Sequence, residues 1–230
     1  MTVERQTTSS PTKTSPHPLA IAISVLTHLL LLTPVIYIGV LSVDTYNTFS
    51  WHPILTTVGI GLLMLEAIYC VSGEAYVSSK MTRKNRILIH WVLQSLGFLL
   101  TLAGVLVIIV MKGKRSHFTS VHGKLGLAAM ILFAIIMISG GLADNTKWFY
   151  PRIRPVTIKI FHIVGGILVT LVLLAALING TYTHWWPHTK LGRDLTFASF
   201  VIGTAFTMIK PTLGAVSKCK FMFRKSTTNT

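Results

Sequence analysis

Six long apolar stretches, separated by short polar and mostly basic segments, set the pattern of this chain. They run approximately Leu19–Val40, His52–Gly73, Ile87–Met111, Val121–Ala143, Thr157–Ile178 and Leu195–Val216. Each holds the roughly 20 residues a helix needs to cross the hydrocarbon of a bilayer. A helix also satisfies its own backbone groups, which hydrocarbon cannot do. The pattern predicts an all-α fold, an integral membrane bundle of six transmembrane helices. Connections of about 10 to 16 residues make neighbours antiparallel and leave no room for a separate soluble domain. The expected organisation is a polar tail over 1–18, disordered and without a cleavable signal peptide, a bundle over 19–216, and a basic tail over 217–230.

Composition agrees. The 230 residues are 51% hydrophobic and only 12% charged, where a soluble domain carries about 25% charged residues. The net charge of +15 resides in the loops, so a membrane surface rather than a nucleic acid is the expected counterpart. Cys70 lies in an apolar run and Cys219 in the basic tail, so no disulfide framework is expected.

The loop charges orient the bundle. Fifteen Lys and Arg fall on the face that carries both ends of the chain, among them Lys80, Arg83, Lys84, Arg86, Arg152 and Arg154. Six fall on the other face, and the first loop, SVDTYNTFSW, has none. The bias predicts that both termini are cytoplasmic.

Four of the nine histidines stand at the starts of successive spans: His52 in SWHPIL, His90 in LIHWVLQ, His122 in SVHGKLG and His162 in KIFHIVGG. Spans two and four run one way, and spans three and five the other. His52 and His122 therefore share an outer depth, and His90 and His162 a cytoplasmic one. The spans suggest about 20 residues, or about 30 Å, between the levels. An imidazole pair on facing helices can hold a haem iron from both sides, leaving electron transfer as its chemistry. Gly59, Gly61, Gly97, Gly123, Gly126, Gly165 and Gly166 leave space for a bulky flat ring. The bland alternative, interfacial histidines with no ligand, fits any one of the four better than the paired set.

Other polar residues remain open. Arg83, Lys84 and Arg86, with Lys80, precede His90 and are candidates for holding an anionic reductant. His117 is a candidate acceptor-side residue. His184 and His188 flank Trp185 and Trp186, which read as an aromatic interface belt. His28 reads as hydrogen-bonded within the bundle. Glu66 is either a proton relay or a neutral paired acid. Gln94 follows His90 by one turn as a polar partner.

Six spans with histidines opening the second to fifth resemble the eukaryotic cytochrome b561 family. The strings SWHPIL, HWVLQ, VHGKLG and LMLEA are most similar to its short cytochrome b561 domain-containing branch, over about residues 40 to 215. The resemblance implies two haem b groups, held by His52 with His122 and by His90 with His162. It implies cytoplasmic ascorbate as donor, monodehydroascorbate radical or ferric iron as acceptor, a homodimer, and an endoplasmic reticulum or vesicle membrane rather than the plasma membrane. Three departures concern the substrates. Ala75-Tyr76-Val77 stands where a Tyr-Arg pair is usual, Arg86 is the nearest basic residue before His90, and Met111-Lys112-Gly113 replaces an acceptor-side histidine, with His117 displaced from it. The competing class is a metal or proton-coupled transporter using the same histidines, although transport sites lie near the midplane rather than at two levels. A non-enzymatic scaffold is a third class; a visible spectrum separates all three.

Overall fold

Polar residues flanking the apolar runs set the helix starts. Thr82 accepts a hydrogen bond from the amide of Asn85, Ser120 accepts one from Gly123, and Pro155 occupies the first turn of its helix. Side-chain oxygens and proline are what the unpaired amides of a first turn favour. The computed structural model describes residues 18–44, 46–186 and 189–227, excepting the side chains of 223–227. Among these residues there is no strand.

The long helices are α1 (Pro18–Asp44), α2 (Trp51–Thr56, continued by Thr57–Met64 and Leu65–Ser72), α3 (Arg83–Lys112), α4 (Val121–Asp144), α5 (Pro155–Gly180) and α6 (Lys190–Thr227). All six are long and apolar enough to span a membrane, so the expected all-α membrane fold is the one that forms. Hydropathy alone placed some ends wrongly. α3 begins at Arg83 instead of Ile87, and α6 runs from Lys190 to Thr227, beyond both expected limits of its span. Arg and Lys are good helix formers, and their long stems follow an apolar surface while the charge reaches polar solvent. The expected tail before Pro18 lies outside the described residues, as does His188.

The helices assemble as pairs. α2 packs along α3 most extensively of all, α4 along α5, and α1 along both α2 and α6, whereas α3 and α4 scarcely meet. α2 and α3 approach closely at two glycines: a Cβ on Gly59 would lie 2.6 Å from the Gly97 carbonyl, and one on Gly97 2.8 Å from the Gly59 carbonyl. Gly61 seats the ring of Phe200, which is fully buried between the outer helices and the rest, and Gly165 lies under Ile136. These glycines permit close helix packing. The core is completed by Leu31, Ile38, Met64, Phe133 and Leu173. The opposite helix faces leave large apolar side chains uncovered, Val110 at 77% and Ile138 at 68% exposure, as a lipid-facing surface requires.

Five threonine hydroxyls inside the spans are satisfied locally. Thr56, Thr57, Thr101, Thr170 and Thr207 each donate to the carbonyl four residues earlier, so they add no unpaired group to the apolar phase. One helix is irregular: Thr57–Met64 of α2 is π-helical, and such turns take an extra residue relative to α-helix.

Candidate functional site

The four histidines meet as two pairs across the gap between the α2/α3 and α4/α5 units. His52 of α2 faces His122 of α4, with ring centres 5.9 Å apart and planes at 85°. His90 of α3 faces His162 of α5, with centres 6.3 Å apart and planes at 90°.

Each ring is held from behind by backbone. Nδ1–H of His52 donates to the Gly104 carbonyl at 2.9 Å, and that of His122 to Ala176 at 2.9 Å. Nδ1–H of His90 donates to Ala67 at 3.1 Å, and that of His162 to Ile136 at 3.2 Å. A carbonyl can only accept, so every ring carries its proton on Nδ1 and keeps the Nε2 lone pair free. This fixes the orientation and tautomer that a metal-ligating imidazole needs.

The braces are reciprocal. α2 holds a histidine of α3 and α3 holds one of α2; α4 and α5 do the same. On α3 and α5 the histidine is the eighth residue, and the carbonyl serving the other level follows 14 residues later. On α4 the interval from His122 to Ile136 is again 14, whereas on α2 it is 15 from His52 to Ala67, with the π-helical turns between. At 1.5 Å per residue the levels are about 21 Å apart. The expected 30 Å is too large, because His90 and His162 lie two turns inside their helices rather than at the first turn.

Two further contacts shape the rings. A Cβ on Gly140 would lie 3.0 Å from His162, and one on Gly180 3.1 Å from His122, so both imidazoles rest on bare backbone. Ser139 is buried, donates its hydroxyl proton to the Ile136 carbonyl at 2.7 Å and lies 3.1 Å from Nδ1 of His162. His162 thus has a second acceptor that no other ring of the four shares.

The rings suit a six-coordinate metal group. A metal–imidazole bond is about 2 Å and the ring centre lies roughly 1 Å behind the nitrogen, so imidazoles on opposite sides of one ion have centres about 6 Å apart. Both pairs have that spacing. A cleft opens between His52 and His122, lined by Ile60, Val105, Gly126, Met130 and Leu173. Of the glycines expected beside a flat ring, Gly126 alone among the described residues lines this cleft, while Gly140 and Gly180, missed in the sequence, touch the imidazoles.

The other candidates do not gather into one site. Arg83 and Lys84 are exposed in the first turn of α3. Arg86 folds back over Gly73, whose φ of +74° ends α2. His117 lies past the far end of α3, half-buried, with its Nε2–H donating to the Gly113 carbonyl. His184 is exposed, whereas Trp185 and Trp186 pack inward against Phe49 and Tyr37. Gln94 reaches the Met64 carbonyl at 3.3 Å, and His28 meets Glu66 at 2.8 Å. The four bracing carbonyls leave no trace in residue type; only the spacing along each helix could have found them.

Six membrane-spanning helices carrying opposed, backbone-braced imidazoles define a class: multi-pass membrane proteins with paired histidines between their helices. The chain belongs to the eukaryotic cytochrome b561 family, whose model matches residues 51–187. It is 34% identical to transmembrane reductase CYB561D2 of Mus musculus over 167 residues, covering 72% of this chain and 75% of the relative. Probable transmembrane reductase CYB561D1 of Mus musculus is 32% identical over 70% of this chain and 71% of its own. Transmembrane ascorbate ferrireductase 2 of Arabidopsis thaliana is 33% identical over 49% of this chain and 48% of its own. Membership makes the protein a transmembrane oxidoreductase and implies a haem b cofactor.

Proposed function

We propose that the protein is a di-haem electron conduit that oxidises ascorbate at its cytoplasmic face and reduces monodehydroascorbate radical or ferric iron at the opposite face. His52 with His122 form the outer site, and His90 with His162 the inner. One observation carries the reading: four Nδ1-braced imidazoles stand in two opposed pairs at the spacing of a shared metal ion. Haem bound between two imidazoles supplies one-electron chemistry and leaves no open coordination position. The chain's own part is to orient the rings through backbone carbonyls, line the cleft with apolar side chains and exclude water. The loop-charge bias supports a cytoplasmic position for both termini. There Arg83 and Lys84, exposed beside the inner level, offer positive charge to an anionic donor. Ascorbate as donor is supported by the name of the Arabidopsis relative.

The test is a visible redox spectrum of the purified protein with haem counted per chain. Two haems of b type are expected. His52→Ala and His122→Ala lose the outer one alone, and His90→Ala and His162→Ala the inner one alone. A colourless protein, or substitutions that remove neither or both, would sink the assignment.

A further inference from the structure

His28 of α1 and Glu66 of α2 form an intramembrane pair that no step above uses, with His28 Nδ1 and Glu66 Oε1 2.8 Å apart. Of the chain's six acidic residues, only Glu66 lies in the middle of an apolar span. Ionisable groups at such depth are costly and are characteristically functional. The pair is not sealed in the core, since the side chains are 42% and 20% exposed.

Its position along α2 matters. Glu66 immediately precedes Ala67, whose carbonyl holds the ring of His90. The pair therefore lies within one residue's rise, about 1.5 Å along the helix, of the inner imidazole level. Cys70 follows Glu66 by four residues on the same face of α2, and the helix ends at Ser72, just before Gly73, which Arg86 covers.

The groups around the pair do not neutralise it in advance. On α1, Thr27 donates to Ile23, and Ser24 accepts from the Tyr76 amide, so both hydroxyls are neutral and occupied. On α2, Tyr69 lies edge-on to the His28 ring at 5.4 Å, and Cys70 is within electrostatic reach of Glu66 and Arg86. From α6, Lys210 interacts with Glu74.

We propose that the His28–Glu66 pair is a proton-uptake site coupled to electron entry at the inner imidazole pair. The inference rests on the di-haem reading. One electron from the enediol donor enters the inner site, and one proton, released by that donor as it is oxidised, binds at the pair; no other reactant is needed. In a medium of low dielectric the added negative charge is strongly favoured by a nearby proton. Electron uptake then adds no net charge to the membrane interior.

The test is a redox titration of the haem-loaded protein across pH. The equilibrium constant for reducing the inner site is expected to change as much as tenfold per pH unit, about 59 mV for a one-electron couple. Glu66→Gln and His28→Gln each abolish that dependence and leave the outer site unchanged. A pH-independent inner site in the unaltered protein, or a slope that survives both substitutions, overturns the proposal. If the variants do not fold, infrared difference spectra of unaltered protein with isotope-labelled glutamate decide: glutamate bands move on reduction, and their absence overturns it. A missing b-type spectrum would bring down the di-haem reading instead.

Discussion

Nδ1–H of His52 donates to the carbonyl of Gly104 at 2.9 Å, and the helix that supplies that carbonyl carries His90, whose own Nδ1–H returns to α2 at Ala67. Each imidazole is thus oriented by the helix beside it rather than by its own. Disturbing the contact between α2 and α3 therefore acts on ring orientation as well as on packing.

Gly104 has no room for a methyl group. A Cβ there would lie 2.9 Å from the Thr56 side chain and 3.2 Å from the His52 carbonyl. Gly104→Ala is expected to cost about 1–3 kcal/mol through overpacking and to lower outer-site haem occupancy while the inner site stays loaded. Haem content and the spectra of the two sites measure this.

At the midplane the constraint is stricter. A Cβ on Gly59 would approach Thr101 Oγ1 and the Gly97 carbonyl, and backbone cannot step aside. Gly59→Ala should lower the thermal unfolding temperature of the detergent-solubilised protein sharply. Gly39→Ala is the control, with nothing within 4 Å of the new atom; it should be neutral or stabilising by about 0.5–1 kcal/mol, as alanine is favoured over glycine within a helix. Equal behaviour of the two would show that the glycine contact does not hold α2 to α3.

Ser139 distinguishes His162 from the other three rings. In Ser139→Ala the imidazole keeps only the Ile136 carbonyl, so its basicity as a ligand changes. The inner-site potential should move while the outer-site potential stays within error, as read by equilibrium redox titration. An unchanged inner site would reduce Ser139 to a helix-packing residue.

Gly73 ends α2 in the left-handed region, with the Arg86 guanidinium resting on it. Gly73→Ala is expected to cost about 1–3 kcal/mol for the backbone conformation and to displace Arg86. Donor KM should then rise more than the reducing rate falls if Arg86 guides an anionic reductant, which steady-state kinetics would resolve.

The spans were legible because hydrocarbon imposes one requirement on all of them, and His52, His90, His122 and His162 stood out as polar residues at the starts of apolar runs. Their partnership followed from helix direction alone. The site's depth did not, because α3 starts at Arg83 and α5 at Pro155, which hydropathy reads as loop; about one turn of α3 and half a turn of α5 were thereby lost from the inner level. The bracing carbonyls of Gly104, Ala67, Ala176 and Ile136 were invisible because every residue has a carbonyl. The glycines misled for the opposite reason: absence of a side chain looks the same beside a flat cofactor, as expected of Gly59, as against a neighbouring backbone, where Gly59 is found. Gly140 and Gly180, beneath the rings, carried no distinguishing context in the sequence.

The π-helical turns of α2 act as a length adjuster. Between histidine and bracing carbonyl, α2 has one residue more than α3, α4 and α5, and the wide turns absorb it. Removing a single residue from Thr57–Met64 would let the helix close to ordinary α-geometry with His52 and Ala67 still at their levels. The same deletion in α4 would swing every residue beyond it by about 100°, taking Ile136 away from His162. Of the four histidine-bearing spans, this one alone carries a residue it can lose while keeping its histidine and its bracing carbonyl at their levels.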